Sequence, residues 1–431
     1  MAHSDFSPRY RKYVLFILFV TYVLNFLDRQ LMTILLEPIK QEFGASDTAM
    51  GFLTGFAFAL FYATLGIPVA RLADSWSRRN VIAISLTLWS GMTAMCGAAG
   101  SFGQLALLRI GVGVGEAGGT PPSHSLIADY FPPEQRSTAF SIHATGTQFG
   151  VLIGMLGGAI VAETMGWRMA FVVFGLPGLL MGLLVATTVK EPARPAPVNK
   201  GSMWKDINVV WRLPGFIKIS CAGALTGLAG YGLGAWAPSF LIRTHGLSLI
   251  EAGIMLGVTG AIGGICGAVI GGILCDRLSQ RDLRWQLWFP ALGALASAPL
   301  LCGFLLWPES QAWSVGDLKV PVAMVFMLFG GIISAFWIGP TYAAIQNLAP
   351  ENMRTQASAL FLFMFNLIGL GLGPLTAGLL SDWYQPRFGE DSLRYAMLTV
   401  ALLSSPSILL YFLAARRLPA DLAKGQQMSP R

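Results

Sequence analysis

The chain has 431 residues, 54% of them hydrophobic and only 12% charged, with a mean hydropathy of +0.60. A soluble globular domain carries about twice that share of charge, so the composition excludes an ordinary water-soluble fold and points to an integral membrane protein. The formal net charge of +7 is not a nucleic-acid footprint, because the basic residues cluster in the short segments between apolar stretches.

Apolar windows of about twenty residues predict an all-α membrane protein of twelve spans; a barrel would instead alternate over strands of about ten residues. Residues 1–13 carry no cleavage site after a short apolar core, so no removable signal peptide is expected. Span one, near 13–38, contains Asp28 and Arg29. A helix starting near Tyr13 places Asp28 about 22 Å deep, beyond the midplane. Arg29 points about 100° away from it around the helix. Span two, near 50–73, ends in A-R-L-A-D-S-W-S-R-R (70–79), and span three lies near 80–100.

Span four, near 103–130, holds Arg109 and Glu116 among glycines 111, 113, 115, 118 and 119. Charge inside hydrocarbon costs several kcal/mol, so intramembrane ionisable residues are functional candidates. Seven positions separate the two, which places them on one face about 10 Å apart. The glycines admit a close helix or ligand. Asp28 and Arg109 fall at similar depth, and an Asp28–Arg109 ion pair is expected to offset two costly charges. Pro121 and Pro122 predict a kink, since they remove helix hydrogen bonds. Spans five and six lie near 136–162 and 168–188. His124 and His143, in spans four and five, read as core histidines, with a proton relay as the alternative.

Residues 190–213 form a polar, basic linker, proline-rich at its start, in which Met203–Trp211 has the pattern of a short amphipathic helix on the membrane surface. Six further spans lie near 214–241, 250–275, 285–307, 320–347, 355–382 and 393–415. The expected domains are therefore an N-terminal six-helix bundle (1–189), the linker (190–213), and a C-terminal six-helix bundle with its tail (214–431). The second bundle has no mid-span acid; Lys218, Asp276 and Asp382 lie near span ends. It supplies aromatic and small polar groups instead, and Tyr231, Trp337 and Asn366 are its candidate substrate contacts. Ordinary packing is the commoner use of such aromatics.

With the N-terminus inside, cytoplasmic segments hold about twenty lysines and arginines and external loops about six, so both termini are expected in the cytoplasm. Internal repeats support the six-plus-six division. A-R-L-A-D-S-W-S-R-R (70–79) after span two answers G-I-L-C-D-R-L-S-Q-R (272–281) after span eight. P-E-Q-R-S-T-A (133–139) likewise answers P-E-N-M-R-T-Q-A (350–357). The five cysteines show no metal-ligand spacing, and no metal or cofactor is expected. No nucleophile with a base, phosphate loop or ring of charges supports an enzyme or a channel.

At these residues the chain resembles the major facilitator superfamily over essentially its whole length. Leu72, Ala73, Asp74, Arg78 and Arg79 match its G-x-L-A-D-R-x-G-R-R signature, with Ala70 and Ser77 in place of two glycines. Gly272, Leu274, Asp276 and Arg277 match in the second copy. Arg109, Gly113 and Gly115 fit R-x-x-x-G-x-G, whereas Met155 stands where the antiporter motif of span five has proline. N-F-L-D-R-Q (25–30), G-V-G-E-A (113–117) and G-L-G-P-L-T-A-G-L-L-S-D (371–382) resemble the spinster-like branch, whose animal members move sphingolipids or lysophospholipids. Hexuronate and organic-anion symporters share similar D-R and G-E-A patterns.

The resemblance implies a monomeric, proton-coupled, alternating-access transporter in the plasma membrane. Its substrate is a lipid with one ionic end or, alternatively, a small organic anion such as a sugar acid. Asp28, Glu116 and Arg109 are the expected proton-coupling residues. Arg109, Glu116, Arg29, Tyr231, Trp337 and Asn366 are the expected substrate contacts. The resemblance also makes Asp74, Arg78, Asp276, Arg136 and Arg354 a cytoplasmic gate, with Asp74 against the start of span eleven near Glu351 and Asp276 against the start of span five near Glu134. A carboxylate is stabilised there by the positive end of the helix dipole.

Overall fold

The computed structural model describes residues 6–192, 209–211, 213–316, 318–349 and 353–427. Among the described residues twelve spans are present, as the apolar windows predict. Span 1 is Pro8–Ile34, opened by Ser7, whose hydroxyl accepts from the Tyr10 N–H, with Pro8 in the first turn where no N–H is missed. A short helix, Leu36–Phe43, ends at Gly44 with φ 59°, a left-handed stop that glycine adopts without strain. Span 2 runs over 47–75 with a π turn at Phe52–Phe56, and span 3 is Arg78–Cys96, capped by Ser77.

Span 4 is broken. Phe102–Glu116 stops at Ala117, and a second helix, Thr120–Tyr130, restarts with Pro121 and Pro122 in its first turn. The expected kink is thus a break placed just before the prolines. Span 5 runs over 133–165 with a π turn at Ile153–Gly157, and span 6 is Trp167–Thr188. Span 7 is Pro214–His245, span 8 Leu249–Ser279 and span 9 Trp285–Leu306. An antiparallel hairpin, β1 (Ala312–Val315) and β2 (Leu318–Pro321), follows; the sequence reading did not anticipate it. Span 10 covers 323–348, span 11 covers 354–388 around a π segment at Phe365–Leu372, and span 12 joins Ser392–Leu403 to Pro406–Gln427. The linker helix expected at Met203–Trp211 lies outside the described residues except for Val209–Trp211, which are helical.

Among the described residues, nine helical runs are long and apolar enough to cross a membrane, the last of them holding spans 11 and 12. Spans 3 and 4 fall outside that set because Arg78 and Arg79 open one and Ala117–Gly119 break the other.

Two compact units divide the chain. Unit 1 is Met1–Ser46, Ala57–Val198 and Ser248–Gly257; unit 2 is Asp47–Phe56, Asn199–Leu247 and Val258–Arg431. In lipid, association of helices relies on close packing rather than on release of water. The span-4 glycines serve that purpose: a Cβ on Gly113 would lie 2.6 Å from the Phe58 carbonyl oxygen, and one on Gly115 would lie 2.7 Å from the Trp89 nitrogen. Their neighbours are helices, spans 2 and 3. In unit 2, Phe216, Ile219, Leu287, Ile345, Phe361 and Tyr411 form a buried core shared by spans 7, 9, 10, 11 and 12.

Candidate functional site

Four ionisable side chains lie deep in unit 1. Span 1 supplies Asp28 and Arg29, and span 4 supplies Arg109 and Glu116. Asp28 is 3% exposed, Arg109 1% and Glu116 0%. The ion pair that forms is Arg29–Glu116, at 2.8 Å. Arg29 Nε also donates to Glu116 Oε2 at 2.9 Å, and Asn25 Nδ2 donates to the same oxygen at 2.8 Å. Asn25 stands one turn before Arg29, so both reach the same face of span 1. Glu116 Oε1 has no hydrogen-bond partner. The Arg29 guanidinium also lies 4.6 Å from the Tyr62 ring, 5.0 Å from Phe58 and 5.2 Å from Phe26, a cage that holds a cation by the ring quadrupoles.

The expected Asp28–Arg109 ion pair is absent. Asp28 Oδ2 accepts from the Thr93 hydroxyl at 3.0 Å, a neutral donor from span 3, while the Arg109 charge stays within electrostatic reach. Arg109 keeps Nε and one terminal nitrogen without a partner and faces the Phe58 ring at 5.6 Å. Phe58 therefore serves both guanidinium groups. Sequence reasoning missed Asn25, Thr93, Phe58 and Tyr62, because uncharged polar and aromatic residues are unexceptional in a span.

A narrow crevice adjoins this cluster, lined by Thr21, Tyr22, Asn25, Trp89, Gly119, Thr120, Ser123 and His143. His143 stacks on Tyr22 at 4.4 Å, and His124 meets it edge-on at 5.3 Å. The structure thus brings the two sequence-flagged histidines together, with His143 beside the crevice.

Arg78, expected at a gate, is clamped inside unit 1. Its Nε donates to Glu191 Oε1 at 2.8 Å and one terminal nitrogen to Ser125 Oγ at 2.8 Å, and it pairs with Asp129. Glu191 Oε2 accepts from the Ser77 hydroxyl at 3.0 Å and the Arg79 N–H at 2.9 Å. Partial burial alone would raise the Glu191 pKa, but the Arg79 N–H, Arg78 and Ser77 outweigh it and hold the carboxyl below its usual range. Arg136 Nε donates to the Phe131 carbonyl at 3.1 Å, closing the end of span 4. Asp276 and Arg354 are exposed at span ends. The side chain of Asp74 and residue Glu351 lie outside what the structure describes.

In unit 2, Tyr231 and Trp337 converge on one residue that sequence reasoning did not select. Phe365 opens the π segment and lies 5.6 Å from Tyr231, 5.2 Å from Trp337 and 5.9 Å from Phe361. Asn366 follows it in the same π segment, half-buried.

Twelve spans built from repeated sixes, with ionisable groups buried in one unit and an aromatic cluster in the other, define a polytopic membrane transporter. The chain belongs to the Major Facilitator Superfamily, whose family model matches residues 18–374, and within it the chain is spinster-like. It is 38% identical over 429 residues to an MFS-type efflux pump of Mycolicibacterium smegmatis, covering 97% of this chain and 96% of that one. It is 24% identical to a probable galactarate/D-glucarate transporter of Bacillus subtilis, covering 97% and 95%. A solved bacterial homologue of the human lysosomal transporter spinster, inward-facing and unoccupied, superposes with a TM-score of 0.85 at 29% identity, covering 96% of this chain and 99% of that one.

Proposed function

We propose that the chain is a proton-coupled secondary transporter of the alternating-access type, carrying an amphipathic substrate with one ionic end, a sphingolipid or lysophospholipid. The observation that carries this reading is Glu116: fully buried, with three donor groups on one oxygen and the other oxygen unpartnered. Protonation there removes the Glu116 charge from beside Arg29, and a guanidinium fork in an aromatic cage binds an anionic headgroup with two bonds. Arg109, buried with unpartnered donors, is the second anion-binding candidate, and Asp28 its neighbouring switch. The Phe365 cluster with Tyr231, Trp337 and Asn366 offers an aromatic surface for an apolar chain. Likeness to an efflux pump over nearly the whole length favours export, across a plasma membrane with both termini cytoplasmic and the chain acting as a monomer.

A second reading has one specific support, the likeness to the galactarate/D-glucarate transporter: Arg29 and Arg109 would then take the carboxylates of a sugar acid. Proteoliposomes with an imposed pH gradient separate the two. Gradient-driven movement of a lysophospholipid or a phosphorylated sphingoid base, absent for glucarate, supports the lipid reading. Movement of glucarate alone replaces it with the second, and movement of neither under any gradient overturns both.

A further inference from the structure

His124 and His143 are titratable groups inside spans that neither the charge cluster nor the aromatic cluster uses. Both lie in unit 1, and the narrow crevice runs from His143 to Asn25, the partner of Glu116. Spans 1, 3, 4 and 5 wall it. The break in span 4 opens it, since Gly119 and Thr120 line it where that helix restarts. Two lining residues, Asn25 (3% exposed) and Trp89 (0%), carry polar atoms without a partner, Asn25 Oδ1 and Trp89 Nε1. Charge fixes the Asn25 amide: Nδ2 donates to the Glu116 carboxylate at 2.8 Å, so its carbonyl oxygen turns away from that carboxylate. A buried acceptor and a buried donor left dry both cost free energy, and one bridging water satisfies the two.

The rest of the lining suits a water that carries an extra proton. The Thr21 hydroxyl donates to the Ile17 carbonyl at 2.9 Å and the Ser123 hydroxyl to that of Gly119 at 2.7 Å, which leaves lone pairs on both oxygens to accept. Acceptors around a water favour its charged form. At the other end of the crevice His143 is 1% exposed. The titratable groups against its ring are Tyr22 of span 1, stacked at 4.4 Å, and His124 of span 4, edge-on at 5.3 Å. Glu116, with Arg29 on it, adjoins the crevice through Asn25. His124 itself is exposed. Measured along their helices from Tyr130 and Pro133, His124 lies about 9 Å, His143 about 15 Å and Glu116 about 21 Å deep. Burial and depth therefore rise in the same order.

We propose that a water in the crevice, His143 and His124 form a proton relay joining Glu116 to solvent at the Tyr130 and Pro133 ends of spans 4 and 5. Asn25 and Trp89 are its positioning residues, which hold the water. The relay rests on the proposed function in one respect, that Glu116 exchanges a proton. A fully buried carboxyl does so only through a chain of exchangeable groups. On release the Glu116 O–H bond breaks and the water takes the proton, leaving the carboxylate. The water then protonates one nitrogen of His143, whose opposite N–H passes to His124 and on to solvent, directly or through one further water. Each ring ends neutral with its N–H on the other nitrogen, and rotation of the ring resets it. On the orientation proposed above, the relay opens to the cytoplasmic side.

The test follows Glu116 itself, without substrate. Full-length protein in lipid nanodiscs is taken through a rapid pH jump, and the carbonyl stretch of the protonated carboxyl is followed by time-resolved infrared absorption. Loss of the band in Glu116→Gln assigns it. His143→Gln is expected to slow its appearance about a hundredfold, while the pH at which it appears at equilibrium stays near the parent's. His124→Gln, at an exposed position, and Trp89→Phe are expected to slow it by smaller factors. Imidazole in the buffer should restore the rate in His124→Ala. An unchanged rate in both histidine-to-glutamine variants, each with a melting temperature near the parent's, overturns the relay alone. A parent in which no Glu116 band titrates at any pH overturns the proposed function, and the relay with it.

Discussion

Spans 1 and 4 of the first six correspond by repeat to spans 7 and 10 of the second, yet the two pairs carry opposite chemistry. In unit 1 they bring together Asp28, Arg29, Arg109 and Glu116, one pair bonded at 2.8 Å and two guanidinium groups sharing the Phe58 ring. In unit 2 they carry Tyr231 and Trp337, gathered on Phe365 from span 11. A duplicated scaffold has kept its helix order while its two interiors have diverged, one towards buried charge and the other towards an aromatic, apolar surface. Architecture is shared and function resides in what each copy displays.

The comparison predicts effects of different kinds in the two units. The largest is expected for Glu116→Gln, which keeps shape and one acceptor but removes the charge: gradient-driven transport should fall about a hundredfold, while downhill exchange of substrate persists. Equal loss of both would make Glu116 a structural residue. Arg109→Lys keeps the charge and removes the planar fork. It should raise the KM for an anionic headgroup about tenfold, and an unchanged KM would remove Arg109 from the substrate contacts. Phe365→Ala, in the other unit, should weaken binding of a long-chain substrate about fivefold with little effect on a short-chain analogue; equal effects on both would dissolve the assignment of the apolar chain to unit 2.

The smallest effect concerns the Arg78 clamp. Glu191 has its folded pKa below its ordinary value of 4.5. The stability it contributes is therefore present above about pH 4.5 and is lost as the pH falls through the depressed folded value. The carboxylate is part-exposed, so solvent screening reduces its worth. Glu191→Gln should lower the melting temperature at pH 7 by about 2–4 °C and flatten its decline at acid pH. Parallel pH profiles for parent and variant would contradict the clamp.

The twelve spans were legible because a bilayer demands long apolar helices, and the buried charges because Asp28, Arg109 and Glu116 interrupt such helices. Their partners were not legible. Asp28 and Arg109 share a depth, but contact depends on how helices rotate about their axes, and that rotation places Arg29, not Arg109, against a carboxylate. Asn25 opens the N-F-L-D-R-Q stretch, but an uncharged amide within a span does not announce which carboxylate it will serve. Asp47, Arg243 and Asp382 lie at helix ends, where charges in most membrane proteins face water, and only packing brings them together: Asp382 accepts from the Asp47 N–H at 3.1 Å and Arg243 donates to Asp47 at 2.9 Å. The 371–382 stretch was visible as a motif, but the close packing of its backbone on the start of span 2 was not: a Cβ on Gly378 would lie 2.2 Å from the Asp47 carbonyl oxygen.

The most direct test of the central claim is proton movement on adding substrate to proteoliposomes loaded with a pH-sensitive dye, comparing the parent with Glu116→Gln. Substrate-dependent proton flux in the parent, abolished in the variant while substrate binding persists, is the predicted result. Proton flux of equal size in both, or substrate transport in the parent with no proton movement, would contradict a coupling role for the Arg29–Glu116 pair.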